Sequence, residues 1–537
     1  MMEKKAWLAQ YPEGIASEIE IPNKSLPDIL LETTIHYPVS NALSFMGRKM
    51  TYQELSGASN RFAAALQSSG AGKGDRVAIM LPNCPQYVIA YYGTLTTGGI
   101  VTQINPMLVA RELEHILIDS GAETIVVMDA FYQTVKSVQP STNLKNIIVV
   151  SLQPSGMEFG DDYTFEQFIA ETLTPVEPVA IDPGQDVAVL QYTGGTTGRS
   201  KGAMLTHRNL VANIYQTEEF FKQNIKQGKE RYLTVIPLFH VFGMTACMNA
   251  CILMAGENIL LPRFDLDEVL QTFKQEKPTV FPGVPTMYVA INAHPKAQEY
   301  GIDSVEVCNS GSAPMPLELM KEFESKTGAK ILEGYGLSEA SPVTHCNPSF
   351  GERKPGTVGI AFPSTDCKIV DVATGVEEVP VGELGELIVK GPQIMKGYWN
   401  MPEETANALR DGWLYTGDIA RIDEDGYLSI VDRKKDLIIA SGYNIYPRDV
   451  EEILYEHPSV QEAVVIGVPD EYRGETVKAI LVLKANATAS EKEIIEYCKG
   501  NMAAYRVPTI VEFRDELPKT NVGKILRRAL REEVQTK

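Results

Sequence analysis

The chain has few cysteines, and their placement excludes two common kinds of scaffold. Its seven cysteines are odd in number, scattered through 537 residues and form no Cys-x-x-Cys pair. A disulfide framework and a structural zinc site are therefore not expected. A reducing, cytoplasmic compartment is the simpler interpretation.

Long apolar runs and an excess of positive charge are also missing. The N-terminus, MMEKKAWLAQYPEG, lacks the continuous apolar region of a secretory signal. The run YVIAYYGTLTTGGIV from Tyr87 is broken by glycines and is too short and polar to span a bilayer. The net charge of −20 argues against broad binding to nucleic acid. We expect no nucleic-acid partner; peripheral contact at the inner face of the membrane and the oligomeric state, a homodimer included, stay open.

The chain, at 537 residues, is long enough to form more than one hydrophobic core. Residues 51–70 have apolar positions at helical spacing and end at Gly70, whereas DRVAIMLPN (75–83), ETIVVMDA (123–130) and KNIIVVSL (145–152) read as strands. Helical segments separate these strands. The alternation predicts an α/β fold with mostly parallel sheets covered by helices.

The pattern changes after about residue 350, where short strands and turn signals such as Asp425-Gly426 predominate. The charged segment DRKKD (432–436) lies between two apolar runs and suits an exposed connection. After it come helix, two strands, helix, strand and a basic helix. We predict a large N-terminal domain, 1–433, with subdomains and a β-rich part, and a small α+β C-terminal domain, 434–537.

The stretch YTGGTTGRSKGAML (192–205) combines glycines, hydroxyls and cations in one loop after a strand. Glycine lets backbone N–H groups approach an anion closely, and hydroxyls and Lys201 add donors. The lysine is out of register for a Walker A loop. A tight strand-to-helix turn would explain the glycines alone, but the added hydroxyls favour phosphate contact. A helix should follow, with Thr206 as its N-cap.

Three further motifs carry polar groups that suit a nucleotide. In ILEGYGLSEASP (331–342), a carboxylate and a hydroxyl suit Mg²⁺, and Tyr335 could stack on a base. In YTGD (415–418), Asp418 could accept hydrogen bonds from ribose hydroxyls. LPKTNVGKILRR (517–528) is basic around a turn, which alone is more typical of an ordinary surface. Glu339 alone is likewise more typical of a solvated loop.

Together and in this order, the motifs resemble those of the adenylate-forming superfamily, which comprises acyl-CoA synthetases, peptide-synthetase adenylation domains and firefly luciferase. The motifs that carry this resemblance are YTGGTTGRSKG, PLFHVFG, EGYGLSE, YTGD, DRKKD and PKTNVGK, and it extends from about residue 48 to the C-terminal GKILRR. Flanking stretches such as GVPTMYVA and SGYNIYPRDVE are most similar to bacterial long- and medium-chain fatty acid–CoA ligases.

The resemblance implies a ligase that uses ATP, Mg²⁺ and coenzyme A. A fatty acid carboxylate would attack the α-phosphorus and release pyrophosphate, and the CoA thiol would then displace AMP from the acyl-adenylate. Such chemistry depends on positioning and charge stabilisation rather than on a covalent protein nucleophile. Transfer to a carrier protein, an aryl or other acid as substrate, and a non-catalytic binder are the alternatives; Lys524, Glu339 and the glycine loop argue against the last.

The resemblance also implies site residues. The catalytic set is Lys524, His240 and Ser338, and the metal ligands are Thr193 and Glu339. The residues that the resemblance implies for binding ATP and CoA are Thr193, Gly194, Gly195, Thr196, Thr197, Gly198, Lys201, Gly311, Ser312, Ala313, Glu333, Gly334, Tyr335, Gly336, Asp418, Arg433, Lys435, Gly442 and Tyr443.

In this scheme the C-terminal domain is mobile. It rotates about Lys435, withdraws Lys524 after adenylation and brings Gly442 and Tyr443 to the pantetheine channel. Two departures from the family pattern weaken the expected CoA contacts: Asp432 replaces the glycine of the usual Gly-Arg pair, and Ile439-Ala440 replaces a common lysine.

Overall fold

The computed structural model of the protein describes residues 5–153, 156–170, 174–193, 200–313, 315–440, 443–470, 473–520 and 525–535. Seven predicted site residues lie outside the described residues: Gly194, Gly195, Thr196, Thr197, Gly198, Gly442 and Lys524.

The helices are α1 Leu26–His36, α2 Tyr52–Ser68, α3 Pro85–Thr96, α4 Ala110–Ser120, α5 Tyr132–Val138, α6 Phe165–Ala170, α7 His207–Phe221, α8 Ala250–Leu253, α9 Leu266–Glu276, α10 Pro285–Ala293, α11 Leu317–Thr327, α12 Pro402–Ala408, α13 Pro447–Glu456, α14 Glu491–Asn501 and α15 Arg527–Gln535. A π-helix, Gly243–Asn249, precedes α8.

The strands are β1 Asn41–Phe45, β2 Arg48–Thr51, β3 Arg76–Met80, β4 Ile100–Gln103, β5 Thr124–Met128, β6 Asn146–Val150, β7 Tyr163–Thr164, β8 Val187–Thr193, β9 Lys201–Thr206, β10 Arg231–Thr234, β11 Glu257–Leu260, β12 Val280–Gly283, β13 Val307–Ser310, β14 Ile331–Gly336, β15 Val343–Cys346, β16 Ile360–Ala361, β17 Asp366–Val370, β18 Gly385–Lys390, β19 Gly397–Tyr398, β20 Leu409–Arg410, β21 Trp413–Ile422, β22 Leu428–Arg433, β23 Ile438–Ala440, β24 Tyr443–Ile445, β25 Val460–Asp470, β26 Gly474–Leu483 and β27 Ile510–Phe513.

The chain forms two compact units. The large unit comprises Trp7–Asp366 and Lys390–Leu414, and the small unit comprises Met1–Ala6, Cys367–Val389 and Tyr415–Lys537. The sequence-based boundary at 433/434 stays a prediction.

Two large sheets form the large unit. The eight-stranded sheet has the order β19-β9-β8-β4-β3-β5-β6-β7, and the nine-stranded sheet has the order β16-β15-β14-β13-β12-β10-β11-β1-β2. Strands β3, β4, β5, β6 and β8 are mutually parallel, as are β10 to β14. Fully buried valines and isoleucines line these strands, because helices pack on the sheets. The predicted α/β fold with parallel sheets is confirmed.

The small unit contains the β-rich part and the C-terminal α+β part. In the first, β21 pairs with β22 around the predicted turn, where Ile422 faces Leu428. In the second, β25 and β26 form a long antiparallel pair and β27 joins β26 in parallel. A core that includes Val465, Ala479 and Leu481 lies under α13 and α14. The predicted order of helix, two strands, helix, strand and helix is confirmed from α13 onward, but two short strands, β23 and β24, come between residue 436 and α13.

The glycine loop does not join a strand to a helix. It joins β8 to β9, which are antiparallel and pair Thr193 with Lys201. Helix α7 begins only after β9, and Thr206 caps it by accepting a hydrogen bond from the Asn209 N–H at 3.2 Å. The predicted cap is confirmed, but a strand of six residues separates it from the loop. Among the residues that the structure describes, no helix is long and apolar enough to cross a membrane.

Candidate functional site

Parallel strands place several predicted site residues at one edge of the nine-stranded sheet. The carboxyl ends of β10, β12, β13 and β14 lie at the same edge, and open α/β sheets bind ligands there. The segment containing His240 follows β10, Gly311–Ala313 follow β13, and Tyr335 and Gly336 end β14. The sheet topology therefore brings together motifs that lie nearly one hundred residues apart in sequence.

The His240 segment, which follows a strand of the nine-stranded sheet, is fixed by Gln191 on β8 and by Asn83 after β3, both from the eight-stranded sheet. Asn83 donates to the Ile236 carbonyl at 3.0 Å and accepts from the Leu238 N–H at 2.7 Å, and Gln191 donates to the Phe239 carbonyl at 3.1 Å. The Nδ1 atom of His240 accepts from the Phe242 N–H at 3.2 Å, which leaves the ring proton on Nε2 in the neutral form. The imidazole is thus held in one tautomer.

Glu333 holds two loops in place. Its side chain is 6% exposed, and its two carboxylate oxygens accept hydrogen bonds from the Met315 N–H at 3.3 Å and the Gly356 N–H at 3.2 Å. The first contact anchors the loop that contains Gly311 and Ser312. Ser312 has a left-handed φ of +68°, a conformation that concentrates at ligand-binding loops when a side chain is present. Both carboxylate oxygens of Glu333 therefore accept hydrogen bonds from backbone N–H groups.

Tyr335 lies opposite a buried histidine. It faces His345 across β14 and β15, with ring centroids 6.3 Å apart. Burial lowers the pKa of His345 to about 3, so this ring is neutral at physiological pH. At Gly336 a Cβ atom would lie 2.3 Å from the Pro342 carbonyl oxygen, so only glycine allows the chain to turn back here toward Glu339.

The base of the glycine loop is held on both sides. Before the loop, the Tyr192 hydroxyl donates to the Asp119 carboxylate on α4. After it, the Ser200 carbonyl lies 3.4 Å from the His115 Nε2 atom on the same helix. A Cβ at Gly202 would lie 3.1 Å from the Tyr192 ring, so this glycine permits the cross-strand packing. The two ends of the loop, Thr193 and Lys201, are thereby positioned side by side.

One side chain that the motifs do not include connects the loop to the predicted metal ligand. The Tyr398 hydroxyl donates to the Glu339 carboxylate at 2.7 Å, and the Lys201 ammonium lies 5.3 Å from the centre of the Tyr398 ring. Lys201 also pairs with Glu404 on α12. Partial burial and the nearby Glu339 charge raise the pKa of Tyr398, so its hydroxyl keeps its proton.

The small unit contains the predicted ribose contacts. Asp418 and Arg433 are cross-strand partners on β21 and β22, with 3.7 Å between Oδ1 and Nε. Next to them, Glu386 accepts from the Gly417 N–H at 3.2 Å and from the Lys434 ammonium at 2.9 Å. The YTGD motif therefore lies within a strand whose surroundings are charged.

The DRKKD segment is only partly exposed, which corrects the expectation of an exposed connection. Lys434 and Lys435 face solvent, but Asp432 and Asp436 are buried. Burial raises the pKa of Asp432 to about 6 even though the Arg527 guanidinium lies 3.4 Å away. The two aspartates are buried because arginines of the C-terminal helix reach them.

Arg527 is the centre of this cluster. Its guanidinium lies 2.5 Å from Glu451 on α13 and 3.7 Å from Asp436, and Arg531 pairs with Asp436 at 2.8 Å. The loop that precedes α15 is closed at its base by a bridge between Lys519 and Ile525. Lys524 itself lies outside the described residues.

The structure brings together part of the predicted site. Lys201 and Glu339 both contact Tyr398, and Thr193 faces Lys201 across β8 and β9. Gly311, Ser312 and Ala313 share an edge with Tyr335 and the His240 segment. Asp418, Arg433, Lys435 and Tyr443 belong to the small unit. Sequence reasoning missed Asn83, Gln191 and Tyr398; a tyrosine next to a glycine in KGYWN is the only local signal for the last.

Two family models match the chain. A model described as AMP-binding enzyme matches residues 32–399, and one described as AMP-binding enzyme C-terminal domain matches residues 449–524.

Curated relatives cover almost the whole chain. A long-chain-fatty-acid–CoA ligase of Bacillus subtilis (strain 168) is 48% identical and covers 99% of both chains. A long-chain-fatty-acid–CoA ligase of Escherichia coli O6:H1 is 39% identical, again with 99% of both chains covered.

Solved structures agree in fold. ATP-bound MatB from Rhodopseudomonas palustris gives a TM-score of 0.87 at 32% identity, covering 95% of this chain and 99% of the other. The anthranilate CoA ligase AuaEII in complex with anthranoyl-AMP gives 0.86 at 28% identity, covering 96% and 98%.

Proposed function

The chain belongs to the AMP-binding enzyme family, and we propose that it is an ATP-dependent, AMP-forming ligase that converts a long-chain fatty acid to its acyl-CoA. The observation that carries the proposal is that Tyr398 contacts both Glu339 and Lys201, while Thr193 faces Lys201 across β8 and β9 at the ends of the glycine loop. A lysine and a carboxylate joined in this way, next to a hydroxyl-rich loop, are groups that suit magnesium pyrophosphate.

In the first half-reaction, a carboxylate oxygen of the acid bonds to the α-phosphorus and the bond to the bridging oxygen of pyrophosphate breaks. The glycine loop with Lys201 would hold the departing β- and γ-phosphates. Ser338 would donate to the α-phosphate, and His240, fixed as one tautomer, would face the substrate carboxylate. Stabilising charge that develops on the leaving group is the main catalytic contribution of such a site.

The adenosine would lie on the edge formed by Gly311, Ser312, Ala313 and the β14 end. Tyr335, Gly334 and Gly336 offer a ring and open backbone for the base, and Glu333, whose carboxylate also holds the Gly311 loop, would line the same edge. Asp418, with Arg433 as its partner, would accept hydrogen bonds from the ribose hydroxyls.

Magnesium fits the donor set. Mg²⁺ is typically bound by one or two protein carboxylates together with nucleotide phosphates and water. The Tyr398 hydroxyl occupies one oxygen of Glu339, and the second oxygen has no hydrogen-bond or ion-pair partner among the described residues. Glu339 and the Thr193 hydroxyl would hold the ion, which neutralises charge on pyrophosphate.

In the second half-reaction, the sulfur of CoA bonds to the acyl carbon, the thiol loses its proton and AMP leaves. Lys524 would serve the first step only, and rotation about Lys435 would replace it with the segment of Gly442 and Tyr443 at the thiol channel.

The proposed function is tested by measuring the release of pyrophosphate and of AMP with carboxylic acids of different chain length. Pyrophosphate and AMP release are measured with octanoate, palmitate and benzoate, with and without CoA. We expect palmitate to give CoA-dependent AMP release and palmitoyl-CoA. Pyrophosphate release with no CoA-dependent AMP would contradict the ligase while preserving adenylation, and activity with benzoate alone would contradict the fatty acid assignment.

A further inference from the structure

We propose that Tyr398 is a positioning residue for the metal and pyrophosphate end of the site, orienting Glu339 through its hydroxyl and Lys201 through its ring. The inference rests on the proposed function, since it concerns the same nucleotide. Tyr398 lies outside the motifs that predict the site.

The backbone places Tyr398 beside the end of the glycine loop. Strand β19 pairs antiparallel with β9, so that Tyr398 faces Ala203 and Gly397 faces Met204. The N–H of the next residue, Trp399, donates to the Gly202 carbonyl at 2.8 Å. Tyr398 is therefore fixed two residues from Lys201 in the paired strand.

Helix α12 also holds the backbone of Tyr398. The Tyr398 N–H donates to the Thr405 hydroxyl on α12 at 2.9 Å. A Cβ at Gly397 would lie 2.7 Å from the Thr405 methyl group, so only glycine allows this close approach. The ring then extends from a braced backbone rather than from a loose loop.

The hydroxyl determines the direction of the Glu339 carboxylate. Glu339 lies in a short 3-10 helix, Ser338–Ala340, and its carbonyl accepts from the Met395 N–H at 2.8 Å. The Met395 segment thus holds the backbone of Glu339 while Tyr398 holds its side chain at 2.7 Å. Hydrogen bonds to metal-binding carboxylates orient the ligand and commonly change metal affinity by about 10- to 100-fold when removed.

The Tyr398 ring contacts Lys201, the lysine that would bind the β- and γ-phosphates. The Lys201 ammonium lies over the Tyr398 ring and pairs with Glu404, so the lysine is held by a π-face and a carboxylate at once. A single aromatic side chain thereby sets the spacing between the cation and the metal-binding carboxylate.

The test is Tyr398→Phe, which removes the hydroxyl and keeps the ring. Binding of Mn²⁺ as a magnesium substitute to the enzyme–ATP complex is measured by electron paramagnetic resonance, and ATP binding in EDTA by calorimetry. We expect Mn²⁺ binding to weaken about 10- to 100-fold, with ATP binding in EDTA and the melting temperature unchanged.

Tyr132→Phe is the matched control. Its hydroxyl also donates to a carboxylate, Asp162, at 2.7 Å in the same unit, but outside the site. We expect this variant to bind Mn²⁺ as the wild type does.

A double-mutant cycle with Glu339→Gln tests whether Tyr398 acts through Glu339. If it does, Tyr398→Phe has no further effect on Mn²⁺ binding in the Glu339→Gln background. Unchanged Mn²⁺ binding in the single variant, additive losses in the cycle, or an equal loss of metal-free ATP binding would each overturn the inference. Failure of the proposed function would instead appear in the wild type, as absence of acid-dependent pyrophosphate release.

Discussion

In the large unit, uncharged groups hold Glu333, His240 and Glu339, although Lys201 pairs with Glu404, whereas the predicted ribose contacts of the small unit form an ion pair. In the large unit, backbone N–H groups hold Glu333 and His240, and a tyrosine hydroxyl holds Glu339. In the small unit, Asp418 is paired with Arg433, and Arg527 joins three carboxylates. The exposed pair of Asp418 and Arg433 should weaken with salt, whereas salt screens the buried cluster around Arg527 much less.

The buried ionisable groups show the same contrast. Burial lowers the pKa of His207 to about 4 and that of His345 to about 3 in the large unit, and both are neutral at physiological pH. In the small unit, burial raises the pKa of Asp432 to about 6, so this carboxylate is charged at physiological pH despite its burial.

The largest expected effect comes from removing the centre of the ion-pair cluster. Arg527→Met leaves Asp432 and Glu451 buried without their cation, and breaking a buried pair costs about 3 to 5 kcal/mol. Hydrogen–deuterium exchange should show faster exchange in β25 and β26 and little change in the large unit. Arg528→Met on the same helix is the control, because Arg528 is exposed, and should change stability by less than about 0.5 kcal/mol. Uniform loss of protection in both units would contradict the contrast.

Lys524→Ala should affect one half-reaction and spare the other. Loss of a charge that stabilises the adenylation transition state is worth about 10²- to 10³-fold in rate. Pyrophosphate exchange should fall by this factor, whereas thioester formation from supplied acyl-adenylate and CoA should continue. Equal losses in both steps would count against rotation about Lys435. Lys499→Ala, an exposed lysine on α14, serves as the control.

The two units should respond to acid in opposite directions. His345 has a lowered pKa, so its stabilising contribution is complete above its ordinary pKa near 6.5 and is lost as pH falls toward 3. Asp432 has a raised pKa, so its contribution is complete below about 4 and is lost as pH rises through 6. Between pH 6.5 and 4, the large unit should lose stability on the order of 3 kcal/mol from His345 and a similar amount from His207, and the small unit should gain on the order of 3 kcal/mol from Asp432.

Exchange protection of each unit, measured across this range, checks the pH prediction. His345→Gln should reduce the response of the large unit by about half, because His207 also has a lowered pKa, and Asp432→Asn should flatten that of the small unit. A response of the same sign in both units would show that these groups do not govern it.

The smallest effect is expected at the ribose contact. Arg433→Lys keeps the charge but loses the planar guanidinium beside Asp418, and Arg433 is 43% exposed. The KM for ATP should rise a few-fold, a change of about 1 kcal/mol or less, and the difference should shrink at high salt. A rise that is insensitive to salt would indicate that Arg433 contacts the nucleotide in a dry pocket rather than through an exposed ion pair.

Local patterns were sufficient for most elements. The helix at 51–70 begins after Thr51 and ends at Ser68, and the strands predicted at 75–83, 123–130 and 145–152 appear as β3, β5 and β6. The spacing of apolar residues and the turn residues at each end determine such elements locally. The strand β9 after the glycine loop was missed, because KGAML is short and its only partner of comparable length, β8, lies across the loop.

The family, most of the order of elements and the residue types at the nucleotide loop are predictable from the sequence, because glycine turns, hydroxyls and the spacing of apolar residues are properties of neighbouring residues. Three features emerge only from packing: the burial of Asp432 and Asp436, the hydrogen bonds that Glu333 accepts from backbone N–H groups, and the link that Tyr398 makes between Lys201 and Glu339. These contacts join residues 18 to nearly 200 positions apart, and burial and partner choice at such separations depend on how sheets and helices pack.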